Sequence, residues 1–273
     1  MKAKPLLTEI DFAKYERLVV LSPHLDDAAL SCHGLLEAVR KKIPRLVITV
    51  CCSQPPKPGT NKKARDRRGF APPKQRRAED IAAMEAMKCS FVHLGFPDAI
   101  HRRSASSGNF VYTSEETREG ELRLDDANYI EELYLILSRL CCNMGPLVLV
   151  SPLGIGRHVD HLVCAQVAMR LVKANIKLLF YEDLPYAWRG SQPNQRQDSS
   201  AAAFERLGLL PGAQYYVDTD VYKKASVMKC YSSQVPLLFN DDEEMLDAFR
   251  YATVSESPKE LFWSAKKEKG GTL

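Results

Sequence analysis

Two short stretches of this 273-residue chain hold side chains that could do chemistry together. The first, SPHLDDAAL, puts His24, Asp26 and Asp27 within four residues; the second, GRHVDHL, does the same with His158, Asp160 and His161. A divalent cation held by two imidazoles and one carboxylate keeps positions open for water, a standard catalytic arrangement. His24, Asp27 and His161 could supply that set. Asp26, beside a ligand, is then a carboxylate free to take a proton from water. His158 could donate to a developing oxyanion, and Asp160 could orient an imidazole from behind. Taken alone, the first cluster has a plainer use, with Asp27 capping a helix and His24 a hydrogen-bonded core histidine. The second cluster shifts the balance toward chemistry.

Both clusters need strands to position them. Leu18, Val19, Val20 and Leu21 form the apolar, β-branched run of a covered strand, and Ser22-Pro23 stops it. A helix follows, with Asp26 and Asp27 at its positive end and Ala29, Leu30, Leu35, Leu36 and Val39 near helical spacing. Residues 45–52 are a second strand, at the spacing of a right-handed parallel crossover. The alternation continues as helix 74–88, strand 91–96, helix 126–142, strand 146–150, a helix from His158 and strand 177–181, with residues 101–125 polar and irregular. Gly154 and Gly156 break the chain before the second cluster, so it too follows a strand's carboxyl end. Diverging loops leave a crevice at that edge of an open parallel sheet. Glu182 and Asp183 arrive there as well.

After a polar linker, 190–200, the pattern weakens. It predicts a short helix near Ala203, a strand at 214–218, helices at 222–231 and 241–251, and an end element around Leu261, Phe262 and Trp263. The expected architecture is a single α/β domain with a mostly parallel sheet and helices on both faces. Its core spans about residues 1–188, and a C-terminal extension, about 189–273, packs on it.

Composition narrows the function. With 45% hydrophobic and 26% charged residues the chain can bury a sizeable core, and a net charge of +4 is too small to make nucleic acid its partner. No apolar run approaches membrane-spanning length and the start lacks a secretory signal, so a cytoplasmic protein without a membrane span is expected. Eight cysteines without a CxxC read as buried reduced thiols. Residues 57–77 carry nine basic side chains against one acid, Asp66, among several prolines. The loop that holds most of them, 53–73, leaves the site edge and is either a disordered, solvated segment or a lid; as a lid it would favour an anionic substrate and disfavour a polycationic aminoglycoside.

At this point the residues carry a resemblance. SPHLDDAALSCHG resembles the (P/A)HPDDE…GG motif and RHVDH the HPDH motif of the LmbE-like (PIG-L) N-deacetylase superfamily. Arg76 with Glu79 is similar to its R-x-x-E helix, HLGFPD (93–98) to its next strand and aspartate, and Ser232-Ser233-Gln234 to its late S-Q motif. The resemblance implies a Rossmann-like fold and a zinc-dependent enzyme that removes acetyl from an N-acetylglucosamine-type sugar, with Fe²⁺ or another divalent metal as an alternative. It implies His24, Asp27 and His161 as metal ligands, Asp26 as general base, His158 as the group stabilising the tetrahedral intermediate, and Arg76 and Asp98 as substrate contacts. The implied substrate is a small acetamido sugar, such as a thiol-sugar precursor or an antibiotic intermediate. Leu25 and Val159 depart from motif prolines, Ala28 from a glutamate and His33 from a glycine. Gly156 stands where some members carry a tyrosine, so help to the oxyanion from that position is missing. Two other classes fit the ligand set. One is a non-haem iron oxygenase, against which the extra Asp26 counts, and the other is a sugar-binding module that keeps the metal without turnover. No G-x-G-x-x-G follows the first strand, which sets aside a dinucleotide-binding dehydrogenase.

Overall fold

The computed structural model describes residues 3–53, 71–189, 198–254 and 257–267. The central part of the basic segment, 54–70, lies outside them, and with it the expected lid; so does most of the linker, 190–197.

Among the described residues the sheet has nine strands: β1 (Lys4–Pro5), β2 (Arg17–Ser22), β3 (Arg45–Cys51), β4 (Ser90–Phe96), β5 (Leu147–Pro152), β6 (Ile176–Tyr181), β7 (Leu209–Asp218), β8 (Thr253–Val254) and β9 (Ser257–Lys267). Their order is β1-β7-β9-β6-β5-β2-β3-β4, with β8 paired to β9 off this path. The pairs β2·β3, β3·β4, β2·β5 and β5·β6 are parallel, as the crossover pattern predicts, while β9 runs antiparallel to β6 and β7. From β2 the chain winds outward to β3 and β4, then returns to β5 on the other side. The carboxyl ends of β2 and β5 therefore flank the switch point where an open α/β sheet forms its crevice.

Strand alternation builds a core on each face. Leu18 and Val20 of β2 enter one core while Val19 and Leu21 enter the other, and β5 divides the same way with Val148 and Val150 against Leu147 and Leu149. The first core is covered by α1 (Asp27–Ala38) and α2 (Pro73–Ala86), the second by α3 (Ala127–Cys142) and α4 (Val159–Leu171). Pro73 opens α2, where its missing N–H costs nothing, and the helix ends at Ala86, before Lys88 turns to a φ of 52°; the pattern had run it to residue 88. The irregular stretch includes a bridged turn between Arg103 and Phe110 and a helical turn, Glu115–Arg118, capped by Ser114.

Beyond residue 198 the extension joins the sheet rather than only lying on it. β7 is longer than its predicted 214–218 because its first half carries Pro211 and Gly212, a pair that masks strand periodicity and coincides with a register shift. β9, hydrogen-bonded between β6 and β7, is the predicted end element at eleven residues. Helices Val221–Met228 and Asp242–Phe249 pack into the first core. The extension also meets α1 through charge: Lys224 Nζ pairs with Glu260 at 2.9 Å, both nearly fully buried, and Glu260 Oε2 accepts the Leu35 N–H. A Cβ at Gly34 would lie 2.5 Å from Thr219 Oγ1, so glycine is what permits this approach.

Replacing Lys224 by Met strands the Glu260 carboxylate and should cost about 3–5 kcal/mol in denaturant unfolding. The double variant with Glu260→Leu should recover part of that loss. An unchanged midpoint for Lys224→Met would remove the pair from the interface energetics. All eight cysteines are free and six are buried. Among the described residues no helix is long and apolar enough to cross a membrane.

Candidate active site

The turn after β2 is built by its own side chains. Ser22 Oγ donates to the His24 carbonyl at 2.6 Å and accepts the Ala28 N–H at 3.0 Å, while the Pro23 carbonyl accepts the Cys51 N–H from β3. Asp27 Oδ2 accepts the His24 N–H at 2.7 Å and stands 3.2 Å from His24 Nδ1 and 3.4 Å from His161 Nε2. One carboxylate oxygen thus faces a ring nitrogen from each cluster. Ligand atoms around a four-coordinate zinc, at 2.0–2.1 Å from the ion, stand about 3.3 Å from one another. The two spacings from Asp27 Oδ2 fit such a cation, and the His24, His158 and His161 rings also present ligand atoms within 4.8 Å of one another.

The far nitrogen of each ring is held from behind. His24 Nε2 lies 3.0 Å from Asp160 Oδ2, and His161 Nδ1 lies 2.6 Å from Asp183 Oδ1. These carboxylates orient the rings so that His24 Nδ1 and His161 Nε2 face Asp27. Asp183, from the end of β6, also accepts the Gly154 and Ile155 N–H groups on its other oxygen, and so shapes the loop that carries His158. Asp160 is balanced by Arg102, itself buried, at 2.7 Å, with Asp126 on the other side of the guanidinium at 3.2 Å. Cys51, His24 and Asp160 also present ligand atoms within 4.8 Å. Arg102 neutralises that carboxylate and the Ala99 N–H occupies it, so this set is a hydrogen-bonding network and not a second cation site.

His158 begins α4 and its Nδ1 accepts the Asp160 N–H, which leaves Nε2 as the N–H donor. Burial, reinforced by His24, lowers its pKa to about 3, so the ring is a neutral donor at pH 7. Asp26 has the opposite setting from Asp27. Burial raises the Asp26 pKa, with the Arg76 guanidinium 3.4 Å away working against that rise and the Asp27 charge adding to it. Burial also opposes ionisation of Asp27, but His161 and His24 outweigh it and hold its carboxyl below the usual range. The two neighbouring carboxylates are therefore driven apart, one toward basicity and one toward permanent charge.

The cleft is lined by these groups together with Arg76, Asp98, Arg118, Glu119, Tyr186 and Gln234. Asp98 Oδ2 lies 3.7 Å from His24 Nε2. All eight residues singled out in the sequence converge here. Five were not singled out: Asp183, Arg102, Tyr186, Arg118 and Glu119, the last two from the turn in the irregular stretch and the residue after it. Asp183 and Tyr186 sit at the end of a strand already placed at this edge, a usable signal. Arg102 comes from the irregular stretch, where no periodicity points inward.

The α/β fold with its crevice at the carboxyl ends of β2 and β5 is shared with known deacetylases. The chain belongs to the GlcNAc-PI de-N-acetylase (PIG-L) family, matched over residues 19–172. It is 30% identical over 240 residues to 2′-N-acetylparomamine deacetylase of Streptomyces fradiae, covering 86% of this chain and 78% of that protein. A crystal structure of a deacetylase from the teicoplanin biosynthesis pathway matches with a TM-score of 0.73 at 25% identity, over 91% of this chain and 97% of that one. The zinc-inhibited form of a teicoplanin deacetylase matches with a TM-score of 0.72 at the same identity and coverage.

Because Asp183 holds His161 at Nδ1 and leaves Nε2, the nitrogen that faces Asp27, free to bind a cation, Asp183→Asn should weaken divalent-metal affinity about 10- to 100-fold while the fold stays intact. A competition titration against a chelator reads this. Wild-type affinity would reduce Asp183 to a loop-shaping role.

Proposed function

We propose that this protein is a zinc-dependent hydrolase that removes the acetyl group from an acetamido sugar of an antibiotic-type intermediate. The observation that carries this reading is the Asp27 oxygen 3.2 Å and 3.4 Å from one nitrogen of each histidine, with a second, more basic carboxylate next to it in sequence. His24 Nδ1, Asp27 Oδ2 and His161 Nε2 would hold the metal. When bound, it supplies Lewis acidity toward water and the amide oxygen. Asp26 takes the proton of the attacking water and returns it to the departing amine, and its raised pKa suits both halves of that task. Arg76 steadies Asp26 and, with Asp98, faces the sugar. His158 Nε2–H donates to the amide oxygen as it becomes negative. Asp160 and Asp183 keep the two ligand rings in register.

The substrate class follows the relatives, which act on 2′-N-acetylparomamine in one case and in teicoplanin biosynthesis in the other. The paromamine relative stands against the expectation that basic residues 57–77 disfavour an aminoglycoside. Zinc suits a His₂Asp donor set. The deciding experiment strips the protein with a chelator and reloads it with one equivalent of Zn²⁺, Fe²⁺ or Co²⁺. Acetate release is then followed from 2′-N-acetylparomamine, N-acetylglucosamine and an N-acetylglucosaminyl thiol. Release from at least one, restored by zinc, supports the reading. Full metal occupancy without acetate from any would leave a binding module.

A further inference from the structure

The loop before His158 contains an opening that another element fills. Gly156 has a φ of 83°, and a Cβ placed on it would lie 2.3 Å from Tyr186 Cγ and 2.4 Å from its Cδ1. The Tyr186 ring therefore occupies the space that a side chain at position 156 would claim. It stands edge-on to the His161 ring at 5.8 Å, while His158 stands edge-on to the same ring at 5.5 Å. Tyr186 lines the cleft, and its hydroxyl makes no hydrogen bond to any described residue and is not sealed from solvent. An unpaired phenol beside a ligand ring, open to the cleft, is placed for a partner that arrives with the substrate.

We propose that Tyr186 is a second donor to the developing oxyanion, and that Gly156 is the residue that admits it. This rests on the deacetylase reading above. Two neutral donors, His158 Nε2–H and the Tyr186 hydroxyl, flank the ring of one metal ligand, and donors fixed in advance act best where charge appears during the reaction. Asp26 and Arg76 supply the opposite requirement, a base with its counterion, so the phenol is not needed for proton abstraction.

The test compares zinc-loaded wild type with Tyr186→Phe, which keeps the ring and removes only the hydroxyl. With 2′-N-acetylparomamine, kcat should fall about 100-fold, KM should stay within about twofold, and metal content should not change. Methylphosphonate, a tetrahedral anion, should bind about tenfold more weakly to the variant in calorimetry. Unchanged kcat and unchanged methylphosphonate affinity overturn the proposal. So does a raised KM at constant kcat, which would make the hydroxyl a sugar contact. If wild type releases no acetate from any acetamide but Tyr186→Phe still loses methylphosphonate, the deacetylase reading falls and the donor assignment stands. Gly156→Ala should reproduce the kcat loss in wild type and add little in the Tyr186→Phe background. An equal loss in both backgrounds overturns the part given to Gly156 and assigns it to backbone conformation alone.

Discussion

Replacing Asp26 by Asn lowers kcat by at least about 100-fold and leaves the metal in place, because a general base contributes about 10²–10⁴ to rate and Asp26 is not in the proposed ligand set. The amide keeps the shape of the side chain and its distance to Arg76 but cannot accept a proton. Asp26 and Asp27 differ by one position along the chain, yet only Asp27 turns an oxygen toward both histidines. Kinetics with parallel metal analysis separates the two. A variant near the wild-type rate would place the base elsewhere in the cleft, where Asp98 and Glu119 are the other lining carboxylates. Loss of metal from Asp26→Asn would mean that it, too, is a ligand.

Single alanine variants of His24, Asp27 and His161 should each lose most of the bound metal and with it essentially all activity. His33→Ala and His101→Ala should keep one equivalent. The contrast uses the architecture: the three proposed ligands follow the ends of β2 and β5, which are hydrogen-bonded neighbours, whereas His33 is buried farther along α1 beside the extension. Removing one donor leaves two, too few to hold a dissociable divalent ion through purification. Full occupancy in all three ligand variants would sink the assignment; full occupancy in Asp27→Ala alone would point instead to the His24, His158 and His161 rings, whose donor atoms lie within 4.8 Å of one another.

The sheet's parallel half was legible because its strands are covered on both faces and read as continuous apolar runs, as in residues 18–21 and 147–150. The site was legible for a related reason. Histidine and aspartate in short clusters directly after such runs can only fall at one edge. The extension was harder to read because β7 carries Pro211 and Gly212 in its interior, and its pairing with β9 depends on contacts far apart in sequence. Asp183 and Tyr186 could be placed at the edge but not given roles, since what they touch comes from α4 and its preceding loop. Arg102 was invisible for a deeper reason: an arginine in a polar stretch is ordinarily solvated, and only the tertiary fold shows it between two buried carboxylates.

Glycine at position 34 has a mechanical consequence. The Asp27 carboxylate stands at the first turn of α1, and the contacts of Leu35 with Glu260 and of Gly34 with Thr219 grip the same helix about 12 Å further along its axis. A helix of that length moves as a rod. Whatever shifts the gripped end, whether a larger side chain at position 34 or a shortened one at 260, is transmitted as a displacement of the carboxylate. Misplacement by about 1 Å can cost about 100-fold in rate. Strand β9 thus serves as the fixed mount of a lever whose free end carries the proposed ligand and base.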